Sequence, residues 1–325
     1  MLSISRSPLR VSLFGGGSDI EDYYRKHAGE VLSFSINKYV YVAINDKFED
    51  GIRLSYSKTE NVQNPFQLEH QICRNLLPIY NVNSGIEIVT IADVPSRGSG
   101  LASSSAFTAA LMANLNFRNK IKKSKYELAK SVCDFEIVQM NSPIGKQDQF
   151  ATVFGGINKI KFYRSGKVLV SGIELKPDAQ LKLEKSILLV HTNIDRDASE
   201  ILKNQNMESI NLDEQQEKKH KLVDMISRGI NFIEKSDFQK LGRLLSESWE
   251  IKKSLGKNIS NHEIDQIYLN GLDLGAFGGK LLGAGAGGFM LFVCPSGRRT
   301  EIAEKLGLRY FCPKLEFEGT KVINF

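Results

Sequence analysis

Pro95-Ser96-Arg97-Gly98-Ser99-Gly100-Leu101-Ala102-Ser103-Ser104-Ser105-Ala106 lies between an apolar run, Gly85 to Ala92, that reads as a strand and another, Phe107 to Leu115, that reads as a helix. Small residues let a main chain approach an anion closely. A helix opening directly behind them turns unpaired N–H groups and the positive end of its dipole toward the same point. Three successive serine hydroxyls add hydrogen bonds or ligands for a magnesium ion. The stretch therefore reads as a phosphate cradle; the plainer alternative is a flexible Gly/Ser loop ending in a serine N-cap. It is neither a Walker A loop, since no Gly-Lys-Ser/Thr follows a four-residue spacer, nor the dinucleotide pattern Gly-x-Gly-x-x-Gly.

Upstream, Arg10 precedes Val11-Ser12-Leu13-Phe14 and then Gly15-Gly16-Gly17-Ser18-Asp19, which puts a guanidinium on a strand and an adaptable turn beyond it. A surface arginine and an ordinary turn give the same letters. Downstream, Leu128, Val132, Glu136 and Met140 recur every four residues, so a carboxylate sits on an otherwise apolar helix stripe. Buried there, it must be paired, protonated or metal-bound, with an internal salt bridge as the alternative. Asp148 follows twelve residues later, past a turn marked by Asn141, Pro143 and Gly145. Gly278 to Phe289 then carries six glycines in twelve residues, too many for an element interior unless another backbone or a ligand comes close. A linker is the alternative, although an apolar strand begins at Phe289.

Taken in order, the Arg10 to Asp19 segment, the Pro95 to Ala106 loop and the Gly278 to Phe289 run resemble the three motifs of the GHMP kinases, the superfamily of galactokinase, homoserine kinase, mevalonate kinase and phosphomevalonate kinase. Ala102 stands where that family commonly has Gly, a difference of one methyl that the loop is expected to tolerate. Ile144-Gly145-Lys146-Gln147-Asp148-Gln149-Phe150 is similar to the family's stretch holding the catalytic aspartate. Within the family, Ser7 to Asp19, Ile52 to Glu60, Arg97 to Gly100, Gln147 to Gln149 and Thr192 to Leu202 resemble the bacterial branch that phosphorylates D-glycero-D-manno-heptose 7-phosphate. Asn193 departs from that branch, which often has Gly there.

The resemblance implies an α+β fold of two lobes, the N-terminal one like ribosomal protein S5 domain 2 and the C-terminal one ferredoxin-like. It implies ATP as co-substrate, Mg2+ as cofactor and a phosphorylated sugar as acceptor, with transfer to the anomeric hydroxyl giving the 1,7-bisphosphate for nucleotide-activated heptose. Carried over by position, Asp148 and Arg10 are catalytic. Arg97, Gly98, Ser99, Gly100, Leu101, Ala102, Ser103, Ser104 and Ser105 bind nucleotide, and Ser104 with Glu136 holds the metal. Gly16, Gly17, Asp19 and Gly285 meet the substrate, and Arg196 clamps its 7-phosphate with Arg97, Lys146 and Lys280 as rivals. A fucose- or galactose-type sugar kinase and a non-catalytic ATP- and sugar-binding regulator are the competing readings.

The 325 residues, 42% hydrophobic and 25% charged, suffice for one large or two medium domains with proper cores. A net charge of +6 suits an anionic substrate. The densest basic run, Arg118 to Lys125, has no aromatic platform interleaved and reads as a solvated helix end, so no nucleic-acid partner is expected. Cys73, Cys133, Cys294 and Cys312 lack metal-like spacing and read as reduced thiols. No stretch reaches the length of a membrane span, and Met1 to Arg6 leads straight into a strand-like segment, so a cytoplasmic protein without membrane contact is expected; self-association stays open.

Strand patterns fall at Leu9–Phe14, Val31–Ile36, Tyr39–Ile44, Ile52–Tyr56, Gly85–Ala92 and Gly155–Phe162, with helical periodicity from Ser104 to Met140. A polar, turn-rich linker is expected over Ser171–Glu184, dividing domains 1–175 and 176–325. The second half reads as a strand at Ser186–His191, helices over Ala198–Ser236 and Phe238–Leu255, and closing strands at Gly288–Cys294 and Val322–Phe325.

Overall fold

In the computed structural model, which describes residues 1–95, 98–194 and 212–323, the first strand, β1 (Ser3–Phe14), buries Leu9, Val11 and Leu13 completely. A glycine turn and a short helix, α1 (Glu21–His27), lead to β2 (Gly29–Asp46), which pairs antiparallel with β1. The two strands expected at Val31–Ile36 and Tyr39–Ile44 are parts of this one. The polar pair Asn37-Lys38 between them is absorbed where the register shifts opposite Pro8 and Leu9. There Asn37 donates its N–H to Lys314 O (3.0 Å) and accepts the Lys314 N–H on its side chain (2.8 Å).

The hairpin β3 (Ile52–Ser55) and β4 (Thr59–Val62), helix α2 (Gln71–Ile79) and strand β5 (Ile86–Ala92) follow. Helix α3 (Ser103–Arg118) packs across β1 and β2 and is buried almost throughout. Its polar side chains are paired across the interface: Asn114 Nδ2 donates to Val42 O (2.9 Å), and Ser5 Oγ donates to Ala110 O (2.7 Å). The helical periodicity read from Ser104 to Met140 is divided at the helix end read over Arg118 to Lys125. Lys120 takes a left-handed turn (φ 56°), Ser124 opens α4 (Lys125–Cys133) with a capping box to Glu127, and Asp134–Gln139 forms a wider π turn. Helix α5 (Gln147–Phe154) and strands β6 (Ile157–Phe162) and β7 (Val168–Gly172) complete this half.

The stretch expected as a linker contains helix α6 (Pro177–Ser186), whose proline at the first position needs no N–H partner. Then come β8 (Ile187–His191), α7 (Leu212–Glu234), α8 (Phe238–Lys253), α9 (His262–Asp273), β9 (Gly278–Leu281), β10 (Phe289–Val293), α10 (Arg299–Leu306), β11 (Tyr310–Phe311) and β12 (Lys321–Ile323).

Two sheets organise the chain. The larger runs β12-β1-β2-β5-β3-β4, with β6 on β2 and β7 on β6; the smaller is antiparallel, β11-β8-β10-β9. Strands and helices segregate as an α+β fold requires. The closing strand read in the second half returns to the first sheet, where β12 pairs with β1. A second core cluster forms around the fully buried Trp249 beneath the smaller sheet. Among the described residues no helix is long and apolar enough to cross a membrane, and all four cysteines are free.

Candidate active site

The phosphate-loop sequence forms a curl. Gly98, Gly100 and Ala102 all take left-handed backbone angles (φ 66°, 72° and 66°), so alternate peptides turn the same way. At Ala102 this costs about 1 kcal/mol relative to glycine. Ala102 is the N-cap of α3, and no side chain caps that helix. The serine N-cap of the plainer alternative is therefore not formed, and the first-turn N–H groups are left for an anion.

The four described serines of the loop and of the first turn of α3 divide by direction. Ser99 and Ser103 are buried and hydrogen-bond each other (2.8 Å). Ser104 is exposed. Ser105 turns inward and donates to Glu136 Oε2 (2.8 Å). Ser104 and Glu136, expected from the sequence to share a metal ion, make no hydrogen bond to each other; the serine that meets Glu136 directly is Ser105. Adjacent residues on a helix point about 100° apart, and it is position 105 that faces the core.

Glu136 sits in the π turn and is 4% exposed. Thr108 Oγ1 donates to its Oε1 (2.7 Å), and Gln149 Nε2 donates to its Oε2 (2.7 Å). Burial holds its carboxyl above the usual range, against the pull of these three donors. The internal salt bridge is not observed: among the described residues Glu136 has no cationic partner. A buried carboxylate held only by neutral donors is a hard oxygen ligand short of positive charge, which fits a magnesium ion. Among the described residues no group of three or more His, Cys, Asp and Glu forms a metal cluster.

Arg10, 4% exposed, ties the loop to Asp148. Its main-chain N–H donates to Leu101 O (3.1 Å) and its Nη1 to Gly100 O (2.7 Å). Its Nε and Nη2 both donate to Asp148 Oδ1 (2.9 and 2.6 Å). Asp148 lies in the first turn of α5, with a side chain 31% exposed. Oδ2 of that carboxylate accepts from no described residue.

Asp19 closes the other side. Its Oδ1 accepts from Gly17 N (3.1 Å) and its Oδ2 from Gln147 N (3.0 Å), next to Asp148. Burial raises its carboxyl pKa, and the neighbouring Asp148 adds to the rise. Each oxygen keeps a lone pair, so a sugar hydroxyl can still be met. A Cβ at Gly145 would stand 2.0 Å from Asp19 Oδ2, which explains the glycine there.

The C-terminal glycine run packs on the phosphate loop. A Cβ at Gly288 would meet Gly98 O at 2.3 Å and Ser99 O at 2.6 Å; one at Gly283 would meet the Gly100 α-carbon at 2.5 Å. The linker alternative therefore gives way to close backbone contact. Gly285, nominated for the substrate, packs against the main chain of Ile259, whose carbonyl oxygen stands 2.8 Å from a would-be Cβ.

Of the rival cations, Lys280 is buried and donates to Leu13 O (2.8 Å), while Lys146 reaches Gly166 O (3.4 Å) and lies 4.8 Å over the Tyr24 ring. Arg97 and Arg196 lie outside the described residues.

The sequence reading missed Lys252. From α8 it donates to Leu281 O (3.0 Å) and Gly283 O (2.6 Å), anchoring the glycine run. As one half of a Lys-Lys pair at a helix end it carries no local signal. Ser105, Thr108 and Gln149 were missed as partners of Glu136, although a glutamine directly after Asp148 on a largely buried helix was a usable cue.

Burial first, then Arg10, pushes Lys280 down to about 7. At pH 8 the free protein mostly carries a neutral amine there, and a polyanion bound at the adjoining loop favours the ammonium form. Triphosphate binding at pH 8 is therefore expected to take up as much as about one proton per site. Calorimetry in buffers of different ionisation enthalpy measures it, and Lys280→Met is expected to reduce the uptake.

Family models match in two places: GHMP kinases N terminal domain over residues 67–156 and GHMP kinases C terminal over residues 230–311. Over 301 residues the chain is 31% identical to a D-glycero-alpha-D-manno-heptose 7-phosphate kinase of Campylobacter jejuni, covering 89% of this chain and 88% of that one. It is 24% identical to a galactokinase of Thermotoga maritima, covering 93% of this chain and 92% of that one. A crystal structure of a D-glycero-D-manno-heptose 1-phosphate kinase from Bacteroides thetaiotaomicron superposes with a TM-score of 0.81 at 24% identity, over 100% of this chain and 99% of that one.

Proposed function

This chain belongs to the GHMP kinase family, and we propose that it transfers the γ-phosphoryl group of ATP to the anomeric hydroxyl of D-glycero-D-manno-heptose 7-phosphate. The product is the 1,7-bisphosphate, an intermediate toward nucleotide-activated heptose. One observation carries the reading: the Arg10 guanidinium is shared between Asp148 and the Gly100 carbonyl of the phosphate loop. A proton acceptor and a phosphate cradle are thereby held in fixed relation. A structural ion pair does not require that link.

In this arrangement the uncapped first turn of α3 and the curled loop bind the triphosphate through main-chain N–H groups. The sugar lies over Gly16 and Gly17, with Asp19 accepting from a hydroxyl. Asp148 accepts the anomeric proton on Oδ2, while Oδ1 stays fixed by Arg10. Arg10 also offsets negative charge that grows between donor and acceptor. Ser104 and Glu136 are the residues that would hold Mg2+, and such an ion would supply charge neutralisation of the phosphate oxygens.

The chain's likeness to the C. jejuni heptose 7-phosphate kinase supports the choice of sugar. The test is ADP release with ATP and a panel of heptose 7-phosphate, heptose 1-phosphate, heptose, galactose and fucose. Heptose 7-phosphate is expected to give the highest kcat/KM. A preference for an unphosphorylated hexose rejects the assignment in favour of the galactose- or fucose-type reading, and absence of turnover with every sugar leaves the regulator.

A further inference from the structure

Helix α7 lies along β1 and β2 with its apolar stripe on them: Leu222, Ile226 and Ile233 are buried, and Ile226 Cδ1 stands 3.0 Å from a would-be Cβ at Gly15. One turn before Leu222 the same stripe reaches position 219, and the residue there is a lysine. Its Cε lies 3.7 Å from a would-be Cβ at Gly17, so the aliphatic stem rests on the glycine turn. Its Nζ is 5.9 Å from the Tyr23 ring and feels the carboxyls of Asp19 and Asp22.

The helix is pinned on both sides of this residue. Gln216 Oε1 meets His27 Nε2 (2.8 Å), and His220 Nδ1 meets the Tyr23 hydroxyl (2.8 Å). The lysine is therefore placed by the fold and is not free to swing away with its helix.

Among the described residues, four other cations around the site have partners of their own: Arg10 with Asp148, Lys280 with Leu13 O, Lys252 with two carbonyls and Lys146 with Gly166 O. Lys219 makes no hydrogen bond or ion pair with a described residue. Burial lowers its pKa and the carboxyls of Asp19 and Asp22 only partly offset that, so a further anion beside it favours the ammonium form. Beneath it, Gly15-Gly16-Gly17 present no side chains, and a would-be Cβ at Gly16 finds only Ser12 Oγ, at 3.9 Å. Room and charge occur together, at the turn read as lying under the sugar.

We propose that Lys219 holds the phosphate group carried by the sugar at the end away from the reacting hydroxyl, and so sets the preference for a phosphorylated acceptor. The inference rests on the proposed function, and it makes Lys219 a substrate-binding residue on the C-terminal half of the chain. A phosphate monoester accepts charge-assisted hydrogen bonds from an ammonium without needing a bidentate fork.

Lys219→Met, which keeps the stem over Gly17, tests it, with Lys219→Arg beside it. For Lys219→Met the KM for heptose 7-phosphate is expected to rise about 30-fold. Its kcat, its KM for ATP and its kcat/KM for unphosphorylated heptose should stay within about threefold of wild type. Lys219→Arg should recover most of the affinity. An unchanged KM for heptose 7-phosphate in Lys219→Met, with a wild type that prefers that substrate, overturns the Lys219 assignment and leaves the proposed function standing. A wild type that prefers unphosphorylated heptose overturns the proposed function first. A KM for ATP that rises in step with that for the sugar shows a structural role only, and likewise overturns the assignment.

Discussion

Asp148→Asn is expected to lower kcat by about 10²- to 10⁴-fold while leaving the affinity for ATP within a few-fold of wild type. The substitution is chosen for its shape. An asparagine oxygen can still accept from Arg10 Nε and Nη2, so the tie between α5 and the phosphate loop survives. What is lost is the second carboxylate oxygen, Oδ2, which accepts from no described residue and is therefore open to the sugar's proton. An amide nitrogen in its place donates and cannot accept. The loop N–H groups and the Glu136 set are untouched, so nucleotide binding measured by calorimetry should persist. A variant retaining more than about a tenth of wild-type kcat would remove Asp148 from the proton's path and reduce it to a partner for Arg10.

The curl of the Gly98 to Ala102 loop was legible as small residues ahead of a helix, a short local pattern, whereas Asp148 was singled out by the resemblance of Ile144 to Phe150 to the family's aspartate-bearing stretch. Glu136 was read from its four-residue spacing. Its surroundings were not, because the stripe does not reveal the π turn that carries it or the three neutral donors around it. Ser104 and Ser105 show the same limit at the scale of one residue. Three serines in a row give no helical phase until the left-handed Ala102 fixes where α3 begins.

Longer-range features were less visible still. Asn37-Lys38 looks like a strand boundary until Lys314, far along the chain, supplies its partners. The return of β12 to β1 depends on pairing across almost the whole chain. Lys252 and Lys219 lie on stretches whose sequence shows only polar, amphipathic helices. Only the folded chain shows one holding the glycine run and the other resting on Gly17.

The second large effect is expected at Arg10. Arg10→Met should reduce kcat by about 10²- to 10³-fold and also raise the KM for ATP, because one side chain serves both halves of the site. With the guanidinium gone, Asp148 Oδ1 keeps only the long contact from Gln147 Nε2 (3.3 Å), and the Gly100 carbonyl loses its Nη1 donor. Arg10→Lys should fall between the variant and wild type. An ammonium is a single point that can meet Asp148 or Gly100 O, whereas the planar fork meets both. The decisive measurement is the double variant Arg10→Met/Asp148→Asn. If Arg10 acts by holding Asp148, the two losses overlap, and the double variant should turn over within about tenfold of Asp148→Asn alone. If the losses multiply instead, Arg10 works on the transferred phosphoryl group independently of Asp148. The shared hydrogen bonds would then be architecture, and the coupling inferred from them would be lost.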